Sequence, residues 1–398
     1  MSGGTRSYEM ARRLASAGHE VEIITSCRDS NSTTGWHTTL EQGVTVHWYP
    51  VPYSNTMGFF RRIKAFIQFA IVSSRKAASI KTDVIFATST PLTIVLPGLY
   101  AKWRQKVPMV FEVRDMWPAV PIAMGILTNP ILVKIAKWLE KLAYHQSQHI
   151  VALAPGMRND IISNGIEPSK VSVIPNGCDL DIFGNDYSRQ VSELRTQYEW
   201  LQSRPLVLFA GTLGRANGVS YMVKIAKHMK DIDPEIRFVI IGNGADHDLI
   251  EDEARESGVL DKSLFLLPAM PKVRLAIWIA ACDFSVGLFS GPQVLWKDAV
   301  QNKFFDALSA GKPVACNFKG YQSELAVEYD IGIIMDPDNP KLAAKELHEK
   351  LSNAAWVSTA KTTAKQLAEG DFNRDALAKK LELVLQSVID SATYGQST

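Results

Sequence analysis

Short apolar runs alternate with helical stretches from one end of the chain to the other, and this restricts its fold more than any other feature of the 398 residues. In the first half the strand-like runs are Val21–Ser26, Val44–Tyr49, Asp83–Ala87, Pro108–Val113, His149–Leu153 and Val171–Ile174. Helical patterns such as Tyr8–Ala17 and Leu132–His145 lie between them. The second half repeats the plan with Leu206–Ala210, Arg237–Ile241, Leu264–Leu267, Phe284–Leu288, Pro313–Cys316 and Gly332–Met335. Strand–helix alternation in two blocks predicts two doubly wound α/β domains. A strand running into turn-forming residues at Ile174-Pro175-Asn176-Gly177 sets the boundary. The expected domains are 1–175 and 176–375, with a C-terminal helix and tail over 376–398, and polar Ser188–Ser203 leads into the second. Ligands of such sheets bind at the carboxyl ends of the strands, so the loops there should carry the chemistry.

Composition excludes several classes. A hydrophobic share of 46% and a charged share of 21% are those of an ordinary globular protein. The charge is unevenly divided: residues 1–175 hold 19 Lys and Arg against 11 Asp and Glu, and the remainder holds 24 against 30. A basic half fits nucleic acid or anionic lipid headgroups equally well. Cys27, Cys178, Cys282 and Cys316 are scattered without a C-x-x-C pair, as buried thiols of a reducing cytoplasm would be. Met1 leads into Ser-Gly-Gly rather than a charged and apolar leader, and no run approaches the roughly 18 apolar residues that cross a bilayer. The expected location is cytoplasmic, at most peripheral on a membrane.

Two segments carry chemistry. Gly211-Thr212-Leu213-Gly214-Arg215-Ala216-Asn217-Gly218 follows one strand and precedes the helical stretch Val219–Asp231. A glycine loop there lets backbone N–H groups approach a phosphate, although a tight turn alone would look the same. The second segment, Gln301 to Val314, reads as a helix stopped at Gly311 and feeding a buried strand. Asp306 falls among Phe304, Phe305, Ala307 and Leu308, where a carboxylate needs hydrogen-bond donors such as sugar hydroxyls. Lys303 shares its face near the helix start, within reach of a phosphate; the bland alternative is an Asp–Lys surface pair.

On these residues the chain resembles glycosyltransferase family 4, whose fold is GT-B, two facing Rossmann-like domains. Ser2-Gly3-Gly4 before Tyr8–Ala17, Phe111-Glu112-Val113-Arg114-Asp115-Met116-Trp117-Pro118, and Val173-Ile174-Pro175-Asn176-Gly177-Cys178-Asp179 match its first loop, cleft stretch and hinge in order. Phe305 to Val314 matches its acidic donor-site helix, with Gly320 and Glu324 in the loop after it. Thr88-Ser89-Thr90-Pro91-Leu92 and Asn302 to Asp306 are similar to the O-antigen and capsule subgroup that includes N-acetyl-L-fucosamine transferases.

The resemblance implies a retaining, metal-independent transfer from a UDP-sugar to a lipid-linked glycan precursor, with no cofactor and no nucleic-acid partner. It implies that Asp306 holds the ribose, and that Gly211, Gly214, Arg215, Asn302 and Lys303 line the diphosphate. Gly3 and Gly4 would form an acceptor or phosphate loop, and Arg114, Asp115 and Glu324 would stand at the reacting centre. Thr212 and Asn217 stand where members often carry Arg and Lys, which leaves Arg215 and Lys303 as the neutralising charges. Asp298 occupies an acidic position eight residues before Asp306 within an unusual loop, and is not counted in the site. Rival readings are a GT-B sugar-nucleotide epimerase and a non-catalytic sugar-nucleotide binder. A dehydrogenase is disfavoured because no G-x-G-x-x-G with a distal acid follows a strand.

His145 and His149 have zinc spacing on a helix but no third ligand nearby. Trp138 and Trp278 read as core or interface. Phe59–Lys81 combines apolar residues at helical spacing with Arg61, Arg62, Lys64, Arg75, Lys76 and Lys81, a composition suited to an anionic membrane surface or to a packed helix with a solvated basic face. Finally, a doubly wound domain needs a strand before its first glycine loop, and Met1 and Ser2 are too short to supply one. The first strand is therefore expected to be missing, with Met1 an internal methionine or the start of a fragment and the first domain the less stable.

Overall fold

The computed structural model describes residues 6–27, 35–52, 57–89 and 91–395; Gly3 and Gly4 lie outside them. The chain forms two units, one from the residues up to Pro175 together with Asp375 onward, the other from Asn176–Arg374.

The first unit runs α1 (Arg6–Ser16), β1 (Val21–Cys27), β2 (His37–Glu41), β3 (Val44–Pro50), α2 (Phe59–Ser79), β4 (Ile85–Thr88), α3 (Val95–Gln105), β5 (Met109–Val113), α4 (Ala119–Ala123), α5 (Pro130–Gln146), β6 (His149–Ala152), α6 (Pro155–Ser163) and β7 (Val171–Val173). Its strands make two sheets, β1-β3-β2 and β4-β5-β6-β7. All pairings are parallel except β2 with β3, a hairpin closed by Gln42 and Gly43 at positive φ. The sequence reading missed β2, because His37-Thr38-Thr39-Leu40-Glu41 is largely exposed and lacks an apolar run. Among the described residues no strand lies against the free edge of β1 or of β4, and both are only partly buried whereas β5 is buried throughout.

Helix α1 joins the two sheets: Met10 and Leu14 pack with Val110 and Val151 of the four-stranded sheet, while Ala11 and Ala15 pack with Val21, Val44 and Val46 of the other. At its start Arg6, fully buried, donates from Nε to Glu112 Oε1 at 2.7 Å and from its guanidinium to the carbonyls of Pro175 (2.5 Å) and Ile174 (2.8 Å). Glu112 also accepts from the Thr88 hydroxyl at 2.8 Å.

The second unit comprises α7 (Leu180–Phe183), α8 (Ser188–Gln197), β8 (Leu206–Ala210), α9 (Ser220–Met229), β9 (Arg237–Ile241), α10 (His247–Glu256), β10 (Leu264–Leu267), α11 (Lys272–Ala281), β11 (Phe284–Gly287), α12 (Asn302–Ser309), β12 (Val314–Cys316), α13 (Tyr321–Glu328), β13 (Gly332–Ile334), α14 (Pro340–Ser352) and α15 (Ala354–Glu369). Six parallel strands are ordered β10-β9-β8-β11-β12-β13. Leu206-Val207-Leu208-Phe209 and Arg237-Phe238-Val239-Ile240-Ile241 are buried because helices cover both faces, which is what unbroken apolar runs anticipate. The polar stretch Ser188–Ser203 contains helix α8, so it is an element rather than a linker.

The last helix, α16 (Arg374–Gly395), returns to the first unit, where Leu377, Ala378, Leu381 and Val388 complete the core around Met10, Val110 and Val151. Within the second unit, the segments flanking the two crossings are fastened together: Cys178 N donates to Phe372 O at 2.7 Å, and Arg374 pairs with Asp179 at 2.6 Å.

Candidate functional site

The carboxyl ends of β8, β9 and β11 and the start of α12 bring most of the predicted donor residues together. The loop after β8 is laid down on the loop after β9: Gly211 N donates to Ile241 O and Leu213 N to Asn243 O, both at 2.9 Å. The contact leaves no room for a side chain, since a Cβ on Gly242 or Gly244 would stand 1.9 Å from the carbonyl oxygens of Gly211 or Leu213. The Gly-x-Gly at 242–244 is thus a site-shaping feature that the sequence reading passed over, although it follows a strand directly. Because the Gly211 and Leu213 N–H groups are spent on β9 and the loop after it, Thr212 and Gly214 are among the loop amides that have no acceptor among the described residues and can meet an anion. Asn217, in place of a base, closes the loop by donating from its side chain to Thr212 O at 2.8 Å. Arg215 is exposed and makes no ion pair among the described residues.

Helix α12 starts with Gln301 as N-cap, and among the described residues no side-chain cap bond satisfies its first amides. Its end is set by Gly311 at φ 62, the left-handed residue that follows a helix. Asn302 is exposed at the N-terminus. Lys303 reaches back under the glycine loop: its Nζ stands 3.9 Å from the centre of the Phe209 ring and 3.1 Å from where a Gly211 Cβ would be. It has no hydrogen-bond acceptor among the described residues, and desolvation pushes its pKa down to about 7, against the pull of Cys316 and Asp306. Burial raises Cys316 to about 12, so it is a thiol at neutral pH and Asp306 is the counter-charge that matters. Phe209 had no sequence signal beyond its place at the end of a strand.

Asp306 is partly buried one turn further on, its neighbours Phe305 and Ala307 fully buried. Glu324 is exposed in the first turn of α13. The turn before it requires Gly320, whose Cβ would meet the carbonyls of Trp296 and Lys297 at 2.3 and 2.7 Å. Asp298, in the loop before α12, is buried. A cleft of about 650 Å³ at the ends of β11, β12 and β13, lined by Gly218 at the end of the glycine loop and by Tyr221, Phe289, Trp296, Phe318 and Asp336 among others, contains none of the predicted donor residues.

In the first unit, Arg114 and Asp115 follow β5. Arg114 N donates to the Ser89 hydroxyl at 2.9 Å, and Asp115 is exposed. Among the described residues no three His, Cys, Asp or Glu gather as metal ligands would. The His145–His149 pair is not on one helix: His149 begins β6 and bonds Ser172 Oγ at 2.8 Å. Trp278 is buried against Tyr198 and Trp200, whereas Trp138 is exposed.

Comparison with known proteins bears on the domains and the fold. Residues 3–177 match the glycosyl transferase 4-like domain and residues 190–371 match glycosyl transferases group 1. An Escherichia coli (strain K12) protein named as a colanic acid biosynthesis glycosyl transferase is 22% identical over 71% of this chain and 72% of its own length. A D-inositol 3-phosphate glycosyltransferase of Xylanimonas cellulosilytica is 25% identical over 85% and 81%. Among solved structures, sucrose-phosphate synthase of Thermosynechococcus elongatus superimposes with a TM-score of 0.78 at 14% identity, covering 97% of this chain and 93% of that one. Anabaena HepE in complex with UDP gives 0.66 at 16% identity, covering 86% of each. The shared architecture is the two-domain α/β GT-B fold with parallel sheets.

Proposed function

The chain's two domains belong to the glycosyl transferase 4-like and glycosyl transferases group 1 families, and on that premise we propose that it moves a sugar from a UDP-sugar to a lipid-linked glycan precursor in surface-polysaccharide assembly. The observation that carries this reading is the Lys303 ammonium, held over Phe209 without an acceptor among the described residues, beside the Thr212 and Gly214 amides and the start of α12, whose N-cap Gln301 makes no side-chain cap bond. A cation without a hydrogen-bond acceptor beside open helix-end amides is what a diphosphate requires. Asp306 takes the ribose hydroxyls, and Asn302 and Arg215 add polar contacts to the diphosphate. Its charge is neutralised by these groups without a metal. Transfer proceeds with retention, Glu324 lies toward the sugar, and Arg114 and Asp115 serve the acceptor side. The colanic acid protein of Escherichia coli supports a polysaccharide product, and the UDP complexes of HepE support the donor class. An N-acetylated sugar such as N-acetyl-fucosamine is the donor sugar that the subgroup resemblance favours. The enzyme works at the cytoplasmic face of the plasma membrane, to which the basic, apolar segment Phe59–Lys81 attaches it.

The test is incubation of the purified chain with a panel of UDP-sugars, with and without membrane lipid extract, reading released UDP and the anomeric configuration of the product. Lipid-dependent UDP release with a retained anomer is the expected result. Interconversion of the nucleotide sugar without UDP release would make the protein an epimerase, and binding with neither outcome would make it a binder.

A further inference from the structure

Two buried side-chain amides meet the backbone just before α12. Val300 and Gln301 are the last residues ahead of this helix, and both of their carbonyls accept from side chains that arrive from elsewhere in the second unit. Asn176, the first residue of that unit, donates from Nδ2 to Val300 O at 2.5 Å. Gln322, in the first turn of α13, donates from Nε2 to Gln301 O at 3.0 Å. Asn176 is 5% exposed and Gln322 1%. A third amide, that of Gln301 itself, reaches back to Leu288 O at 3.3 Å. The start of α13 is set against the same loop by its backbone: Tyr321 N donates to Lys297 O at 2.9 Å, and Gly320 leaves no room for a Cβ beside Trp296 O.

A peptide group is planar and trans, so its carbonyl and the following N–H point opposite ways and turn together. Fixing Gln301 O therefore fixes the Asn302 N–H, the first amide of α12, which has no acceptor among the described residues. A donor on the carbonyl also polarises the group and strengthens its N–H as a donor in turn. The arrangement has a cost. Gln322 Oε1 is buried and has no hydrogen-bond partner among the described residues. Turning the amide over would set that oxygen against Gln301 O, so the nitrogen must stay where it is. A methionine would fill the same space without an orphaned acceptor, and stability alone therefore does not account for a glutamine here.

We propose that Gln322 is a positioning residue for a nucleoside diphosphate. Through the Gln301 peptide it aims and strengthens the Asn302 N–H, and Asn176 holds the preceding peptide in the same frame. Both side chains are buried, so they act on the backbone that meets the nucleotide rather than on the nucleotide itself. The inference rests on the proposed function, since it needs the start of α12 to face the donor's phosphates. It adds to that reading two residues that lie far along the chain from α12. Their effect is confined to the phosphate end, because the ribose is served by Asp306 one turn further into the helix.

The experiment titrates the full chain and its variants with UDP by calorimetry and with uridine by NMR, which reads weak binding, alongside thermal melting. Gln322→Met should weaken UDP about three- to tenfold, the worth of one hydrogen bond, and leave uridine within about twofold. Its melting temperature should not fall. Asn176→Ala should give the same split between UDP and uridine from a residue outside α13, so the result does not hang on that helix tolerating a change. Ser323→Ala is the control. It removes the hydroxyl that accepts from Gly320 N at the start of α13, without touching Val300 or Gln301, and should lower the melting temperature while the ratio of UDP to uridine affinity stays put. Equal losses of UDP and uridine in Gln322→Met and Asn176→Ala, or a ratio shifted as far by Ser323→Ala, would make the two amides ordinary fastenings and overturn the inference. Parent-like UDP affinity in both variants would overturn it too. A parent chain that binds no UDP would sink the donor reading itself, and this inference with it.

Discussion

A lysine that loses water without gaining an acceptor holds its proton weakly, and Lys303 is such a residue. If it meets a diphosphate, binding must return the proton. Its pKa is about 7 in the free protein, so above that pH UDP binding should take up close to one proton. Affinity should then fall by up to about tenfold per pH unit over the range where UDP's own phosphate, with a pKa near 6, no longer titrates. Calorimetry at pH 8 to 9 in buffers of different ionisation heat measures this uptake, and Lys303→Met should abolish it. A proton count equal in parent and variant would place the ammonium away from the phosphate. The same residue affects stability. The unfolded chain, with an ordinary lysine pKa of about 10.4, binds more protons than the native state between pH 7 and 10, so stability should rise with pH across that window. Lys303→Met should flatten the rise and leave the fold no weaker at pH 7. For Asp306→Asn the expected loss is about 1.5–3 kcal/mol of UDP affinity with an unchanged melting temperature. The helix that carries Lys303 and Asp306 was legible in the sequence because a helix start, an apolar surround and a C-terminal glycine are local signals. Phe209 under the ammonium and the Gly242–Gly244 cradle were not, since what they do depends on a neighbouring loop arriving from another strand.

At the level of elements, one buried ion pair secures α1, β5 and the end of β7. Arg6 and Glu112 are 106 residues apart and wholly buried, and no sequence pattern could have paired them. Arg6→Met should cost about 3–5 kcal/mol in denaturant unfolding, because it strands a buried carboxylate. Adding Glu112→Leu should recover most of that loss, because an apolar pair satisfies the site nearly as well. If the double variant were no more stable than the single one, the carbonyls of Ile174 and Pro175, not the ion pair, would be what Arg6 serves. The free edges of β1 and β4 have their own consequence. Ladder amides on these edges lack partners among the described residues, so native-state hydrogen exchange should be fastest at Val21–Cys27 and Ile85–Thr88 and slowest at Leu206–Ala210 and Arg237–Ile241. Equal protection in the two groups would show both edges to be covered. The alternation that announces strands and helices made nearly all these elements readable, while the β2 hairpin went unread because its exposed Thr38-Thr39 stretch satisfies no burial pattern.

For the whole molecule, the return of α16 makes the first unit discontinuous and the second an uninterrupted insertion into it. Residues 176–374 expressed alone should fold cooperatively, whereas a chain ending at residue 374 should show a normal second transition and a destabilised first one. Coincident loss of both transitions in the truncated chain would show the units to be a single cooperative block. The tail beyond residue 375 was readable as a helix, but not as a missing part of the first core, because that role rests on Leu377, Leu381 and Val388 meeting residues from the other end of the chain. The arrangement also orders events at the ribosome. At roughly 5–20 residues per second, the roughly 200 residues of the insertion take on the order of 10–40 s to emerge. Throughout that interval the nascent first unit must wait with Met10, Val110 and Val151 uncovered, a client for chaperones until α16 is translated. The unit begun before the insertion is therefore completed after it.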